Sequence, residues 1–236
     1  MTVDDRFTVH RSGDVLTVWC GATGTFELDP SSARVDAATS GQDGPELEHR
    51  LACVVVPLLL AERGDLALHA SAVAVDGQAV AFAGVSGRGK STIAWALGTA
   101  GRAVLAEDGC IVTPTPEGPL LWPGLAGVRL RGPASERMVV EDAGAGADPV
   151  PLRAVVLLGP RGGSSPAIGR LSPVEALTAV MPHTMHAQGP SLAAAFRGAG
   201  ALTRTVPVLR GSLPDDLSGA SRHAERLLDM VLAGTG

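Results

Sequence analysis

Ala79-Val80-Ala81-Phe82-Ala83-Gly84-Val85-Ser86-Gly87-Arg88-Gly89-Lys90-Ser91-Thr92 decides how the rest of this chain is read. Residues 84–91 fit G-x-x-x-x-G-K-[ST] without a mismatch. The apolar run 79–83 reads as a strand, and 91–97 carries a helical pattern. Strand, glycine loop and helix N-terminus are the three parts of a phosphate cradle. Glycines carry no Cβ, so backbone N–H groups can turn inward on an anion. The motif therefore assigns Gly84, Ser86, Gly87, Arg88, Gly89, Lys90, Ser91 and Thr92 to the phosphates of a nucleoside triphosphate. Lys90 would reach the β- and γ-phosphates, and the Ser91 hydroxyl would ligate Mg²⁺. A glycine turn arising by chance is the competing reading, and the flanking strand and helix weigh against it.

Upstream, residues 66–75 and 78–83 are strand-like runs on either side of Asp76-Gly77, a dipeptide suited to a two-residue hairpin turn. The loop strand is then the second arm of a hairpin, which is not the Ras-like arrangement. His69 lies on the first arm, where strict alternation shares its face with Ala67 and Ser71. A histidine on an apolar strand is commonly a core residue. Beside a nucleotide loop it could instead orient or deprotonate a partner. Downstream, the apolar run 103–106 ends in Glu107-Asp108. A carboxylate there would complete Mg²⁺ coordination. Asp108-Gly109 is also ordinary turn chemistry, and the loop upstream favours the metal role.

Further out, residues 7–9, 15–20 and 25–28 read as a small antiparallel meander, 31–45 as a linker, and 46–63 as a helix interrupted by Pro57. After the acidic pair, 110–113, 120–122, 127–130, 153–158 and 205–210 read as strands. Residues 173–180, 191–196 and 221–232 read as helices, the first capped by Ser172. Residues 132–151 read as a long polar loop rich in Gly and Ala. Arg129 and Arg131 share a strand face by alternation and could meet phosphate charge, against the alternative of a solvated face. Arg204 and Arg210 are weaker candidates of the same kind. His183 and His186 match no metal spacing and read as loop residues. Glu136, Glu141 and Asp142 read as solvated.

At 236 residues, the chain suits one domain or one domain with an appendage; the division expected is 1–64 for meander plus helix and 65–236 for the nucleotide-binding part. With 45% hydrophobic residues but only 3% aromatic and no Tyr, the core must be packed by Leu, Val and Ala. A net charge of -5 argues against a broad nucleic-acid surface. Three well-separated cysteines fit a reducing compartment with no disulfide or zinc framework. No basic-then-apolar leader pattern opens the chain, and the longest apolar run is too short to cross a bilayer. The expectation is a cytoplasmic protein with no membrane and no nucleic-acid partner.

His69, Asp76-Gly77, the loop 84–91 and Glu107-Asp108 occur in the order and spacing of the HPr kinase/phosphorylase catalytic domain. The chain resembles that family over residues 66–112, and in length it is similar to the short HPr-kinase-like proteins of ribosomal (lasso) peptide gene clusters. The resemblance implies an α/β fold with a mixed sheet, of the phosphoenolpyruvate-carboxykinase type. It implies ATP and Mg²⁺ as cofactors and transfer of a phosphoryl group to a serine hydroxyl of a peptide or protein, with a possible homo-oligomer. By the same resemblance, Lys90 and Ser91 hold phosphates and metal, Asp108 is a metal partner, Glu107 the catalytic base, and His69 its support. Glu107 departs from the family, which has Asp there, so the reach of the base changes. The family's C-terminal basic signature and N-terminal regulatory domain are not found. A small-molecule hydroxyl kinase, acting for instance on free serine, and a nucleotide-responsive binding module remain open beside the peptide kinase.

Overall fold

The computed structural model describes residues 7–39, 41, 44–125, 128–129, 137–138, 146–187, 190–215 and 219–235. The N-terminal segment is an antiparallel meander of β1 (Thr8–Ser12), β2 (Val15–Trp19), β3 (Gly24–Asp29) and β4 (Arg34–Thr39) in sequential order. The fourth strand falls inside the stretch read as a linker. Its residues are mostly exposed, so the apolar alternation that marks a strand is missing. The turn before it holds the register. The Asp29 carboxylate accepts from the Ser31 N–H at 2.9 Å and the Ser32 hydroxyl at 2.7 Å, and Ala33 takes a left-handed φ of 56°.

The helix expected over 46–63 forms as α1 (Pro45–Arg50), a π turn (Leu51–Val55) and α2 (Val56–Glu62). The Val56 N–H bonds the Leu51 carbonyl. Pro57 has no N–H to offer the Cys53 carbonyl, so the widened turn sits just ahead of the proline. Leu16, Val18, Phe26 and Leu28 of the meander pack with Val55, Leu58 and Leu59 of this helix, and with Ala67, Ile111 and Met185 beyond it. Polar ties reinforce the contact: Arg11 pairs with Glu62, and Arg63 Nη1 donates to the Pro30 carbonyl at 2.6 Å.

The second sheet is mixed, with ten strands among the described residues. Its elements follow along the chain as β5 (Leu66–Leu68), β6 (Ala70–Val75), β7 (Gln78–Ala83), α3 (Lys90–Thr99), β8 (Val104–Ala106), β9 (Cys110–Thr113) and β10 (Leu120–Trp122). Then come β11 (Val128–Arg129), β12 (Arg137–Met138), β13 (Val150–Leu158), β14 (Ala167–Arg170), α4 (Pro173–Val180), β15 (Thr184–Met185), α5 (Pro190–Thr205), β16 (Val208–Ser212) and α6 (Ala220–Gly234). The sheet order is β15-β5-β9-β10-β13-β7-β6-β8, with β16 between β13 and β14, and among the described residues β11 and β12 pair as a separate two-stranded sheet. The architecture is thus α/β, with a large mixed sheet and a small antiparallel one.

The hairpin forms around Asp76 (φ 50°) and Gly77 (φ 74°), with Val75 opposite Gln78 and Ala70 opposite Ala83. Two left-handed residues in succession suit the twist of the flanking strands. The pairing with β7 covers Ala70–Val75 and not the whole expected run. The strand breaks at His69, and Leu66–Leu68 pairs instead with β9 and β15. The neighbouring stretch breaks at the same level: β8 pairs with β6, β9 pairs with β5, and residues 107–109 lie between them. The expected alternation of His69 with Ala67 and Ser71 fails there, because the chain passes from one ladder to another. Residue 205 ends α5 rather than opening a strand, and β14, whose residues are mostly exposed, carried no strand pattern.

Side-chain size sorts the two faces of the sheet. Ala70, Ala72, Ala79, Ala81 and Ala83 face Ala176 and Val180 of α4 and Ala199 and Leu202 of α5. Val73, Val75, Val80 and Phe82 face Ile93 and Leu97 of α3 and Leu227, Leu228 and Val231 of α6. In β13, Leu152 and Val155 share one face although they differ in parity, because the register slips between Leu152 and Ala154. The extra residue, Arg153, reaches the end of α6 and donates to the Leu232 carbonyl at 3.1 Å. Ser172 and Glu175 form a capping box on α4, matching the expected cap.

Candidate functional site

The loop leaves the C-terminal end of β7 beside β13, to which β7 runs parallel. In open α/β sheets, ligands bind in the crevice outside such strand ends. A Cβ on Gly84 would lie 3.0 Å from the Leu158 carbonyl oxygen, so the loop needs glycine to leave the sheet there. Gly89 adopts φ 104° and ψ 18°, and a Cβ on it would meet Arg161 Nη2 at 2.7 Å. The Ile93 N–H takes the Gly89 carbonyl at 2.8 Å, so α3 is helical from its first residue. The N–H groups of that first turn have no helical carbonyl ahead of them. Lys90 is buried at 6% exposure, and its Nζ donates to the Gly84 carbonyl at 2.9 Å. The loop thus curls around its own cation, a concave shape suited to phosphate oxygens.

Gly84, Val85 and Ser86 form one side of a cleft of about 340 Å³. His69 and Asp108 lie in it, together with His49, Arg50 and Cys53 from the N-terminal helix and Pro182, His183 and His186 from the segment after α4. The strand break explains how His69 reaches the cleft. Its N–H bonds the His183 carbonyl at 2.7 Å instead of a ladder partner, and Ala70 next to it pairs with Ala83, so His69 stands level with Gly84.

His69 Nδ1 lies 3.1 Å from the Asp108 carbonyl oxygen, and Nε2 lies 3.9 Å from Asp108 Oδ1. A carbonyl only accepts, so Nδ1 carries the hydrogen and Nε2 is left to face the carboxylate. Asp108 takes φ 57°, a left-handed conformation uncommon for a residue with a side chain. Glu107 is buried at 3% exposure, and its carbonyl accepts from Cys53 Sγ at 3.1 Å and from the Gly109 N–H at 2.7 Å. The structure therefore brings His69 together with Asp108, the residue after the Glu107 that the resemblance made its partner.

His183 and His186, read as loop residues, both line the cleft. The His183 imidazole is pushed down to about 4, first by burial and then by the charges of His69 and Lys90. His186 Nδ1 lies 2.8 Å from the Ala187 carbonyl. Burial pushes the Cys110 thiol up; its Sγ donates to the Ala70 carbonyl at 3.3 Å, and all three cysteines are free thiols. Arg129 is placed by its backbone in β11, which lies beside α3. Arg131 and Glu136, Glu141 and Asp142 lie outside the described residues, as does most of the long loop expected over 132–151.

No family model matches the chain, and no curated protein matches it. Among solved structures, the Hpr(Ser) kinase/phosphatase from Coxiella burnetii is similar to it at a TM-score of 0.44 and 13% identity. That match covers 72% of this chain and 99% of the other.

Sequence reasoning passed over Arg161, whose guanidinium lies against Gly89. The signal for it was positional. Arg161 follows Gly159-Pro160 at the end of the strand that runs parallel to the loop strand, where a cation can meet phosphates. Arg50 and His49 had no such signal, because only packing of the N-terminal helix carries them to the cleft. No group of three His, Cys, Asp or Glu side chains able to hold a metal occurs among the described residues. Mg²⁺ commonly uses one or two protein oxygens together with substrate phosphates, which Ser91 and one carboxylate of the acidic pair could supply. No helix among the described residues is long and apolar enough to cross a membrane.

Proposed function

We propose that this protein is an Mg²⁺-dependent kinase that moves the γ-phosphoryl group of ATP to a serine-type hydroxyl on a peptide or protein. The observation that carries this reading is that one cleft holds both the phosphate loop and the His69–Asp108 pair. A loop alone serves binding as well as transfer. An imidazole-backed carboxylate on the acceptor side of the loop is what transfer requires.

In this reading the loop amides, Lys90 and Ser91 hold the phosphates, with Arg161, and Arg129 through β11, as further cations. Bound Mg²⁺ would neutralise the β- and γ-oxygens, with Ser91 and one of Glu107 and Asp108 as its protein ligands. The hydroxyl oxygen forms a bond to the γ-phosphorus, and the bridging P–O bond breaks so that ADP leaves with the electron pair. The hydroxyl proton passes to the carboxylate. His69 at 3.9 Å supports Asp108 in that role, and the buried Glu107 is then left for the metal. The resemblance assigns these two roles the other way round, and Asp108→Asn beside Glu107→Gln separates them. The base variant keeps nucleotide binding and loses about 10²–10⁴-fold in transfer, whereas the metal variant loses Mg²⁺-dependent binding.

The direct test is incubation with Mg²⁺-ATP and candidate acceptors, followed by mass spectrometry. Gain of one phosphoryl group on a peptide serine supports the proposal. Phosphorylation of free serine and of no peptide points to the small-molecule kinase. Tight ATP binding without transfer to any hydroxyl leaves a nucleotide-responsive binding module.

A further inference from the structure

We propose that Cys53, steadied by His49, is a positioning group for the turn Glu107-Asp108-Gly109, so that the N-terminal helix is a working part of the transfer site. The inference rests on the kinase reading, which gives the turn its task.

Three contacts carry it. The Cys53 thiol donates to the Glu107 carbonyl at 3.1 Å. That carbonyl also accepts the Gly109 N–H at 2.7 Å, so it is held from two sides. His49 Nδ1 lies 3.4 Å from the same sulfur, and because the thiol hydrogen is committed to Glu107, the imidazole hydrogen points at sulfur. The third contact is steric. A Cβ on Gly109 would fall 3.0 Å from the Cys53 carbonyl oxygen, 3.1 Å from its Cα and 3.2 Å from Pro57 Cγ. The acidic turn therefore lies flat on the π turn, where a Cβ would fit only if its neighbours gave way by a few tenths of an ångström.

Between these fixed neighbours stands Asp108, left-handed at φ 57° and tied through its own carbonyl to His69. Aspartate visits this region more readily than most residues, but still at a cost that its neighbours here help to meet. The restraint from one side is the strand break at His69. From the other it is the widened helix, where the turn ahead of Pro57 brings Cys53 onto the Glu107 carbonyl. Losing the thiol donor would leave Asp108 present but loosely aimed. A core cysteine of ordinary kind would show no such dependence, since it packs as a small hydrophobe.

The test uses the full chain with Cys53→Val and Cys53→Ala, which remove the donor, Cys53→Ser, which keeps one, and Gly109→Ala. Two readouts are taken: hydrogen exchange of peptides spanning 104–112, and kcat and KM for phosphoryl transfer. The donor-less variants are expected to exchange faster over 107–109 and to lose about 2–10-fold in kcat. Cys53→Ser should restore both, and Gly109→Ala should lower kcat further. Wild-type exchange and kcat in both donor-less variants, or equal losses in Cys53→Ser, overturn the proposal. Should the wild type transfer no phosphoryl group, the kinase reading fails by itself, and the exchange measurements still decide whether Cys53 holds the turn.

Discussion

Asp108→Gly separates a residue kept for chemistry from one kept for stability. Three terms set the expected change in folding free energy. Releasing a side chain from the left-handed region gains at most about 1–2 kcal/mol, and less for Asp than for most residues. Glycine gives back roughly 0.5–1 kcal/mol through the greater freedom of its unfolded chain. The contact with His69, 3.9 Å long and between partly exposed groups, is worth about 0.2–1 kcal/mol. The bond from His69 Nδ1 to the residue 108 carbonyl survives, because it uses the backbone. The sum lies within about 1 kcal/mol of zero, which for a chain of this size is about 2–4 °C in Tm. If Asp108 is the base, transfer falls by about 10²–10⁴-fold. Calorimetric melting and a mass-spectrometric transfer assay on one preparation decide the matter. A drop in Tm beyond about 8 °C would show that the carboxylate holds the fold together. Transfer within threefold of wild type would remove Asp108 from the chemistry.

Other outcomes follow from the same geometry. Lys90→Ala should abolish most Mg²⁺-ATP binding by calorimetry; normal affinity would displace the site from the loop. His183 should titrate near 4 by NMR, against 6.5 for an ordinary histidine. On acidification the unfolded chain takes up that proton first, so His183 destabilises the fold as pH falls from 6.5 towards 4. His183→Gln should therefore melt with a shallower pH dependence across that window, and an unchanged slope would contradict the burial. Ser172→Ala breaks the capping box of α4 and should cost about 1 kcal/mol in denaturant unfolding, with transfer kinetics unaltered.

Much of the glycine loop after β7 was legible in the sequence because its determinants are local. Glycines at 84, 87 and 89, a lysine and a hydroxyl at the helix start are demanded by one turn of backbone, and the chain spells them consecutively. Asp76-Gly77 specified the hairpin for the same reason: two left-handed residues satisfy the turn without help from elsewhere. Ser172 and Glu175 announced the start of α4 three residues apart. The exposed strands β4 and β14 were silent, since they bury too little apolar surface to leave an alternation.

The side of the cleft facing the loop, with His69 and Asp108, was decided by tertiary structure. His69 read as one more position in an unbroken strand, yet ladder pairing changes partner there, and its N–H goes to the His183 carbonyl. Nothing near His183 in sequence announces that contact, and nothing near Cys53 announces its contacts with Glu107 and Gly109. The placing of Asp108 against His69 and into the cleft belongs to the same class. Adjacent residues at a strand end point to different sides, and which one faces the cleft depends on the φ that distant packing imposes on the turn. Local sequence determines where a chain can turn and bind an anion; contacts between residues tens of positions apart determine which side chains meet it there.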